Sequence, residues 1–265
     1  MIAKIALSVW LALCTGGAFA AAPQTVFQEE LTWTELRDEI RAGKTTIIVP
    51  IGGTEQNGPA IALGKHNARA KVLAARIALA LGNALVAPVM AYVPEGSVSP
   101  PSAHMRFAGT ITMPDATFEQ VVEYAARSFK AHGFQYIVLL GDHGSYQKNL
   151  QNVAERLNHQ WATTPVRVLA VTEYYHAAQV DFAQLLKQRG FRDDEIGVHA
   201  GLADTALTLA LEPRLVRADR LQQSFSAADG VQGDPRRASA EVGQAGVDVI
   251  IARTVEAIRK ATGRR

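Results

Sequence analysis

The chain has 265 residues, 48% of them hydrophobic and 20% charged, with a formal net charge of +2. This is an ordinary globular composition with enough apolar residues for a full core, and it excludes collagen, coiled coil and disorder. No block of like charge and no basic stripe exists, which argues against a nucleic-acid partner.

In chain order, the first segment reads as an address. Lys4 precedes a nine-residue apolar run, 5–13, and Ala18-Phe19-Ala20 fits a small-x-small cleavage site. The run is too short to span a bilayer. Residues 1–20 are therefore expected to be a signal peptide, and 21–265 a single periplasmic or secreted domain, free of the membrane once cleaved. The single cysteine, Cys14, leaves with that segment. Any metal site in the mature chain must then use His, Asp, Glu or Asn.

Residues 45–51, TTIIVPI, form a β-branched apolar run of buried-strand length. Residues 68–81 are rich in Ala, Leu, Arg and Lys and predict a helix. A second strand is expected over 84–91, then a Pro/Ser/Gly loop over 94–102. Residues 117–131 place Phe118, Val121, Val122, Ala125 and Phe129 on one helical face. A strand over 136–140, a helix over 147–161 and a strand over 166–172 follow. Helices are expected over 181–189 and 201–211, and one more is lined by Val247, Ile250, Ile251, Val255 and Ile258. Apolar strands alternating with amphipathic helices predict a three-layer α/β/α domain with a mostly parallel central sheet.

Ligands of such sheets bind beyond the carboxyl ends of the strands. Three expected strands end there in polar loops: 52–59, 141–146 and 173–176. Glu55, in the first, is a metal ligand, a general base or a turn-capping carboxylate. His66 is a metal ligand or a solvated neighbour of an Asn67 helix cap. His143 lies between Gly141 and Gly144, where small neighbours allow close approach of a ligand. His199 suits proton transfer, and Asp204 is either a metal ligand or a helix-dipole carboxylate. His104, Tyr146, Tyr174 and Tyr175 are candidate pocket-lining residues for a small-molecule substrate. The G-x-S-x-G, Walker A, G-x-G-x-x-G and H-E-x-x-H signatures are absent.

Five segments in order resemble the creatininase family of metal-dependent amidohydrolases. They are PIGGTEQNGPAIALGKH at 50–66, Gly109-Thr110-Ile111, Gly141-Asp142-His143-Gly144, GVHAGLADTALTL at 197–209 and GVQGDPRRA at 230–238. The resemblance implies a creatininase-like α/β/α fold, a homo-oligomer such as a hexamer, and two adjacent divalent ions, Zn or Mn. It implies water attack on an amide-type C–N bond. Glu55 and His143 match family ligands, His199 a histidine near the catalytic centre, and Asp204 a family glutamate.

Four positions depart from the pattern. Asn57 and Ala60 stand where the family has histidines, His66 where it has a bridging aspartate, and Leu202 where it has a glutamate. An imidazole nitrogen has one lone pair and does not ordinarily bridge two ions. The expectation is therefore a single ion held by Glu55, His66, His143 and Asp204, with Glu55 and His199 in catalysis. The rival expectation is a catalytically silent small-molecule-binding protein on the same scaffold.

Overall fold

The computed structural model describes residues 24–263. The expected signal peptide over 1–20 lies outside the described residues. The β-branched run forms β1 (Thr46–Ile51), followed by β2 (Ala84–Val86), β3 (Tyr136–Gly141) and β4 (Arg167–Ala170). All pair in parallel, in the order β2-β1-β3-β4. Parallel strands need crossovers, and nine α-helices among the described residues supply them and their covering layers. They are α1 (Trp33–Arg41), α2 (Lys65–Leu81), α3 (Asp115–Ala131), α4 (Gln147–Gln160), α5 (Thr172–His176), α6 (Phe182–Gln188), α7 (Asp193–Ile196), α8 (Leu202–Leu211) and α9 (Ala240–Thr262). None of the described helices is long and apolar enough to cross a membrane.

Alternation along the strands splits the core in two. Ile48, Val86, Val138 and Leu140 pack with residues of α2, α5, α6, α8 and α9 on one face. Ile47, Val49, Ile51, Leu85, Ile137 and Leu139 pack with α3 and α4 on the other. Every residue of β1 is buried, as a strand covered on both faces requires. The expected three-layer α/β/α architecture is the one observed.

The differences are local. The strand expected over 84–91 stops at Val86, before Pro88, and resumes only as a bridge between Ile51 and Met90. Proline has no N–H for the ladder. The segment expected to be a loop after β4 is helical: α5 runs through a π-helical turn, Ala177–Asp181, into α6. A first helix, α1, opens on a Thr32–Glu35 capping box that the hydrophobic pattern alone did not reveal. Helix α2 begins three residues before the expected start, so Lys65 and His66 lie in its first turn. Asn67 does not cap it. Its Oδ1 instead accepts from the Gly53 N–H at 2.9 Å, bracing the loop after β1.

β1 connects to β2 on one side and pairs with β3 on the other. The loops leaving β1 and β3 therefore part at the switch point of the sheet, where a crevice opens.

Candidate metal centre and active site

Glu55 stands at the middle of this crevice with no exposed surface. Its two oxygens face different surroundings. Oε2 faces His104 Nε2 at 3.1 Å and His143 Nε2 at 3.2 Å. Oε1 faces His66 Nε2 at 2.8 Å, Lys65 Nζ at 3.7 Å and His199 Nδ1 at 3.7 Å. Burial alone would raise the Glu55 pKa. The charge of His66, the close approach of the His143 ring, the hydrogen bond from His66, and Lys65 outweigh burial and hold it far below the usual carboxylate range.

On the Oε2 side a second carboxylate, Glu95, closes a group of four. Ligand atoms of Glu55, Glu95, His104 and His143 all lie within 4.8 Å of one another. Glu95 is 1% exposed. Gly53 makes room for it: a Cβ at that position would lie 2.7 Å from Glu95 Oε1, and its φ of +151° disfavours other residues. Burial and the charge of Glu55 push the Glu95 pKa up to about 8, against the pull of His143.

His143 is oriented by its neighbours. The single hydroxyl proton of Ser145 goes to the Pro94 carbonyl at 2.6 Å, so Ser145 Oγ accepts from His143 Nδ1 at 2.8 Å. A longer 3.3 Å approach of the Ser145 N–H to the same Nδ1 is the competing contact. The proton assigned to Nδ1 by the shorter bonds leaves the Nε2 lone pair facing Glu55. Gln147 Nε2 donates to the carbonyls of Gly141 and His143 and pins the loop.

These residues fit a metal ion. Oε2 of Glu55 and both carboxylate oxygens of Glu95 are buried without hydrogen-bond partners. Unpaired buried charge costs several kcal/mol per group, about as much as removing one partner of a buried pair. Two carboxylates and two imidazoles around one point satisfy that charge and match the ligand preferences of Zn or Mn.

The Oε1 side is built differently. His66 Nδ1 lies 2.6 Å from Asp142 Oδ2, and Tyr174 donates to Asp142 Oδ1 at 2.6 Å. Arg69 bridges Asp142, at 2.8 Å, and Asp204, at 2.7 Å. Lys65 Nζ donates to Asp204 Oδ2 at 2.7 Å, and the Ala200 N–H to the same oxygen at 2.9 Å. Burial would raise the Asp204 pKa, but Lys65 and Arg69 hold it well below its ordinary value. Asn57 Nδ2 is spent on the carbonyls of Glu55 and Ala62.

Of the residues singled out in the sequence, Glu55 and His143 meet in the four-residue group. His66 touches Glu55 from the other side. Asp204 is saturated by Lys65, Arg69 and a backbone N–H and lies outside the group. His104, read only as pocket lining, joins it. His199 rims the site with Nε2 donating to the Gln56 carbonyl at 2.9 Å. Burial and the nearby Lys65 lower its pKa to about 4 despite Glu55, so it is neutral at pH 7.

Tyr146 and Tyr174 do not line the pocket. Both are fully buried, because their hydroxyls tie the floor together. Tyr146 Oη accepts from the His143 N–H and reaches the carbonyls of Ile51 and Gly52, while Tyr174 holds Asp142. Tyr175 is half-buried, with its hydroxyl over Gly144 beside the His143 loop.

Glu95, Lys65 and Arg69 were missed. Glu95 sits in a Pro/Gly-flanked segment that reads as a plain loop, and its one signal was a carboxylate beyond the end of β2. A pocket of about 330 Å3 opens above the group, lined in part by Gln56, His104, Arg106, Phe107, His143 and His199.

Comparison with known proteins places this geometry. The creatininase model, described as creatinine amidohydrolase, matches residues 29–258. The chain belongs to the creatininase family. It is 26% identical to creatinine amidohydrolase of Pseudomonas putida over 258 residues, covering 89% of this chain and 97% of that protein. It is 25% identical over 195 residues to 3-dehydro-scyllo-inosose hydrolase of Thermotoga maritima, covering 73% of this chain and 58% of that protein. A solved mutant creatininase of Zn-Zn type superposes with a TM-score of 0.73 at 26% identity, covering 90% of this chain and 99% of that one. Family membership and the carboxylate–histidine group together support a metal-dependent amidohydrolase.

Proposed function

We propose that this chain hydrolyses a C–N bond of a small amide or cyclic amide, using a single divalent ion held by Glu55, Glu95, His104 and His143. The observation that carries this reading is the set of unpartnered buried oxygens on Glu55 and Glu95, facing two imidazoles beneath an open pocket. When bound, Zn or Mn supplies Lewis-acid polarisation of a carbonyl and lowers the pKa of a bound water.

The chain's own residues do the rest. Ser145 fixes the His143 ring, and Asp142 fixes His66 against Glu55. With the Nε2–H of His199 directed to the Gln56 carbonyl at 2.9 Å, against a 3.0 Å approach of the Gln56 amide nitrogen, Nδ1 is the atom left to take up a proton and return it to a leaving nitrogen. With a pKa of about 4, His199 is a weak base that holds such a proton only briefly. Phe107 and Val198 supply apolar surface at the mouth, which suits a small ring or chain.

The test is a panel of small linear and cyclic amides assayed with purified protein, before and after chelation. Turnover that disappears with chelator and returns with Zn or Mn is expected. Metal binding with no turnover across the panel would favour the silent binding protein instead. Export and oligomerisation belong to the same proposal and rest on residues 1–20 and on the family resemblance. Amino-terminal sequencing of periplasmic protein is expected to begin at Ala21, and light scattering to report a multiple of the chain mass.

A further inference from the structure

We propose that Lys65, braced by Arg69 through their shared partner Asp204, is a resident cation that takes the place of a second metal ion and limits this site to one. The inference rests on the reading above that an ion occupies the Glu55–Glu95–His104–His143 group.

Three observations carry it. The first is position. Lys65 Nζ lies between two carboxylates, 2.7 Å from Asp204 Oδ2 and 3.7 Å from Glu55 Oε1. Glu55 is thus shared between the four-residue group on its Oε2 side and an ammonium on its Oε1 side. A further cation shared by Glu55 Oε1 and Asp204 Oδ2 would have to stand where Nζ already does.

The second is construction. Lys65 and Arg69 are four residues apart at the start of α2, so they share one face of that helix. Both reach Asp204 in the first turn of α8, and Arg69 also holds Asp142. Lys65 is 1% exposed and Arg69 2%, so neither can swing out to make room without exposing a buried, paired charge.

The third is ligand supply. On the Oε1 side both Asp204 oxygens are taken, Oδ1 by Arg69 and Oδ2 by Lys65 and the Ala200 N–H. Both His66 nitrogens face carboxylate oxygens, at 2.6 Å and 2.8 Å. Asn57, where the resembling family has a histidine, is neutral and directs its Nδ2 to backbone carbonyls, which leaves only its amide oxygen as a weak donor. A solved relative is of Zn-Zn type, whereas here the chain's own cations already hold the carboxylates of the Oε1 side.

The experiment is metal stoichiometry, not activity. Metal-free full-length protein is dialysed to equilibrium over a rising series of free Zn2+ or Mn2+, and bound metal is measured by mass spectrometry. Wild type should plateau at one ion per chain. Lys65→Ala should plateau at two, and Lys65→Arg should stay at one. Two ions in wild type would overturn the proposal, as would a Lys65→Ala plateau of one. No bound ion in wild type would overturn the metal reading itself and this inference with it. If Lys65→Ala does not fold, anomalous scattering from metal-soaked wild-type crystals decides. A single peak beside Glu55 Oε2 supports the proposal, and a second peak between Glu55 Oε1 and Asp204 refutes it.

Discussion

The two sides of Glu55 solve the same electrostatic problem in opposite ways. On the Oε1 side buried carboxylates meet organic cations, and nearly every polar atom has a partner: Asp204 has Lys65, Arg69 and the Ala200 N–H, and Asp142 has His66, Arg69 and Tyr174. On the Oε2 side two carboxylates converge and three oxygens have no hydrogen-bond partner. On the first side every carboxylate is paired within the polypeptide and only the neutral Asn57 Oδ1 is left open, whereas the carboxylates of the second need something that the polypeptide does not supply. A buried charge network can therefore be sorted into structural and functional halves by asking which atoms are left unpaired.

The comparison breaks most visibly if the paired side is cut. Asp204→Ala leaves Lys65 and Arg69 facing one another without their common anion, and is expected to cost about 3–5 kcal/mol of folding stability. Urea denaturation of the metal-free protein measures it. A loss below about 1 kcal/mol would show that the network is not the closed unit described here.

On the unpaired side, His143→Ala removes an oriented ligand and should weaken metal binding by more than the roughly 10–100-fold typical of losing an orienting neighbour. Its stability in the metal-free state should change far less than that of Asp204→Ala. Competition against a chelator of known affinity reads the first quantity and denaturation the second.

Ser145→Ala keeps the ligand and removes only its orientation. About a tenfold loss of metal affinity is expected, the low end of that range. An affinity equal to wild type would mean that the His143 ring is held by packing alone.

The smallest effect is a matter of protons. In the metal-free chain Glu95 has its pKa raised to about 8, so at pH 7 it carries a proton in the folded state that the unfolded chain, with a pKa near 4.5, has lost. A group raised on folding adds stability that is complete below the unfolded pKa and lost as pH rises through the folded one. The metal-free protein should accordingly lose stability between about pH 4.5 and pH 8. Metal binding at pH 7 should displace that proton. Calorimetry in buffers of different ionisation enthalpy should show about one proton released per ion, and Glu95→Gln should abolish the release.

The fold was largely legible in the chain. The run at 45–51 and the pattern at 136–140 could only be strands buried on both faces, and the amphipathic segments between them could only be their covers. What escaped was short or depended on context. The segment after β4 is helical although Tyr174, Tyr175 and His176 read as a polar loop, because α5 packs against α9 and buries Tyr174. Helix α2 starts early enough to carry Lys65 and His66 because its end lies under the loop that holds Glu55. Propensity does not report that environment. Within the site, Glu55 and His143 were readable because each stands in a Gly-rich loop at a strand's carboxyl end. Glu95 was not, since its position beside Gly53 depends on how two separate loops cross.

Sequence by itself determined the layer order, the edge of the sheet where chemistry gathers, and, beyond Cys14, a ligand inventory without thiolate. Those follow from periodicity, connection rules and composition, which are local or additive. Tertiary structure alone decided which carboxylate is paired with a cation and which is left open. That assignment turns on distances of a few ångströms between residues far apart in the chain, such as Lys65 and Asp204, or Gly53 and Glu95. Coulomb energy and desolvation depend on separation in space, and separation along the chain carries no record of it.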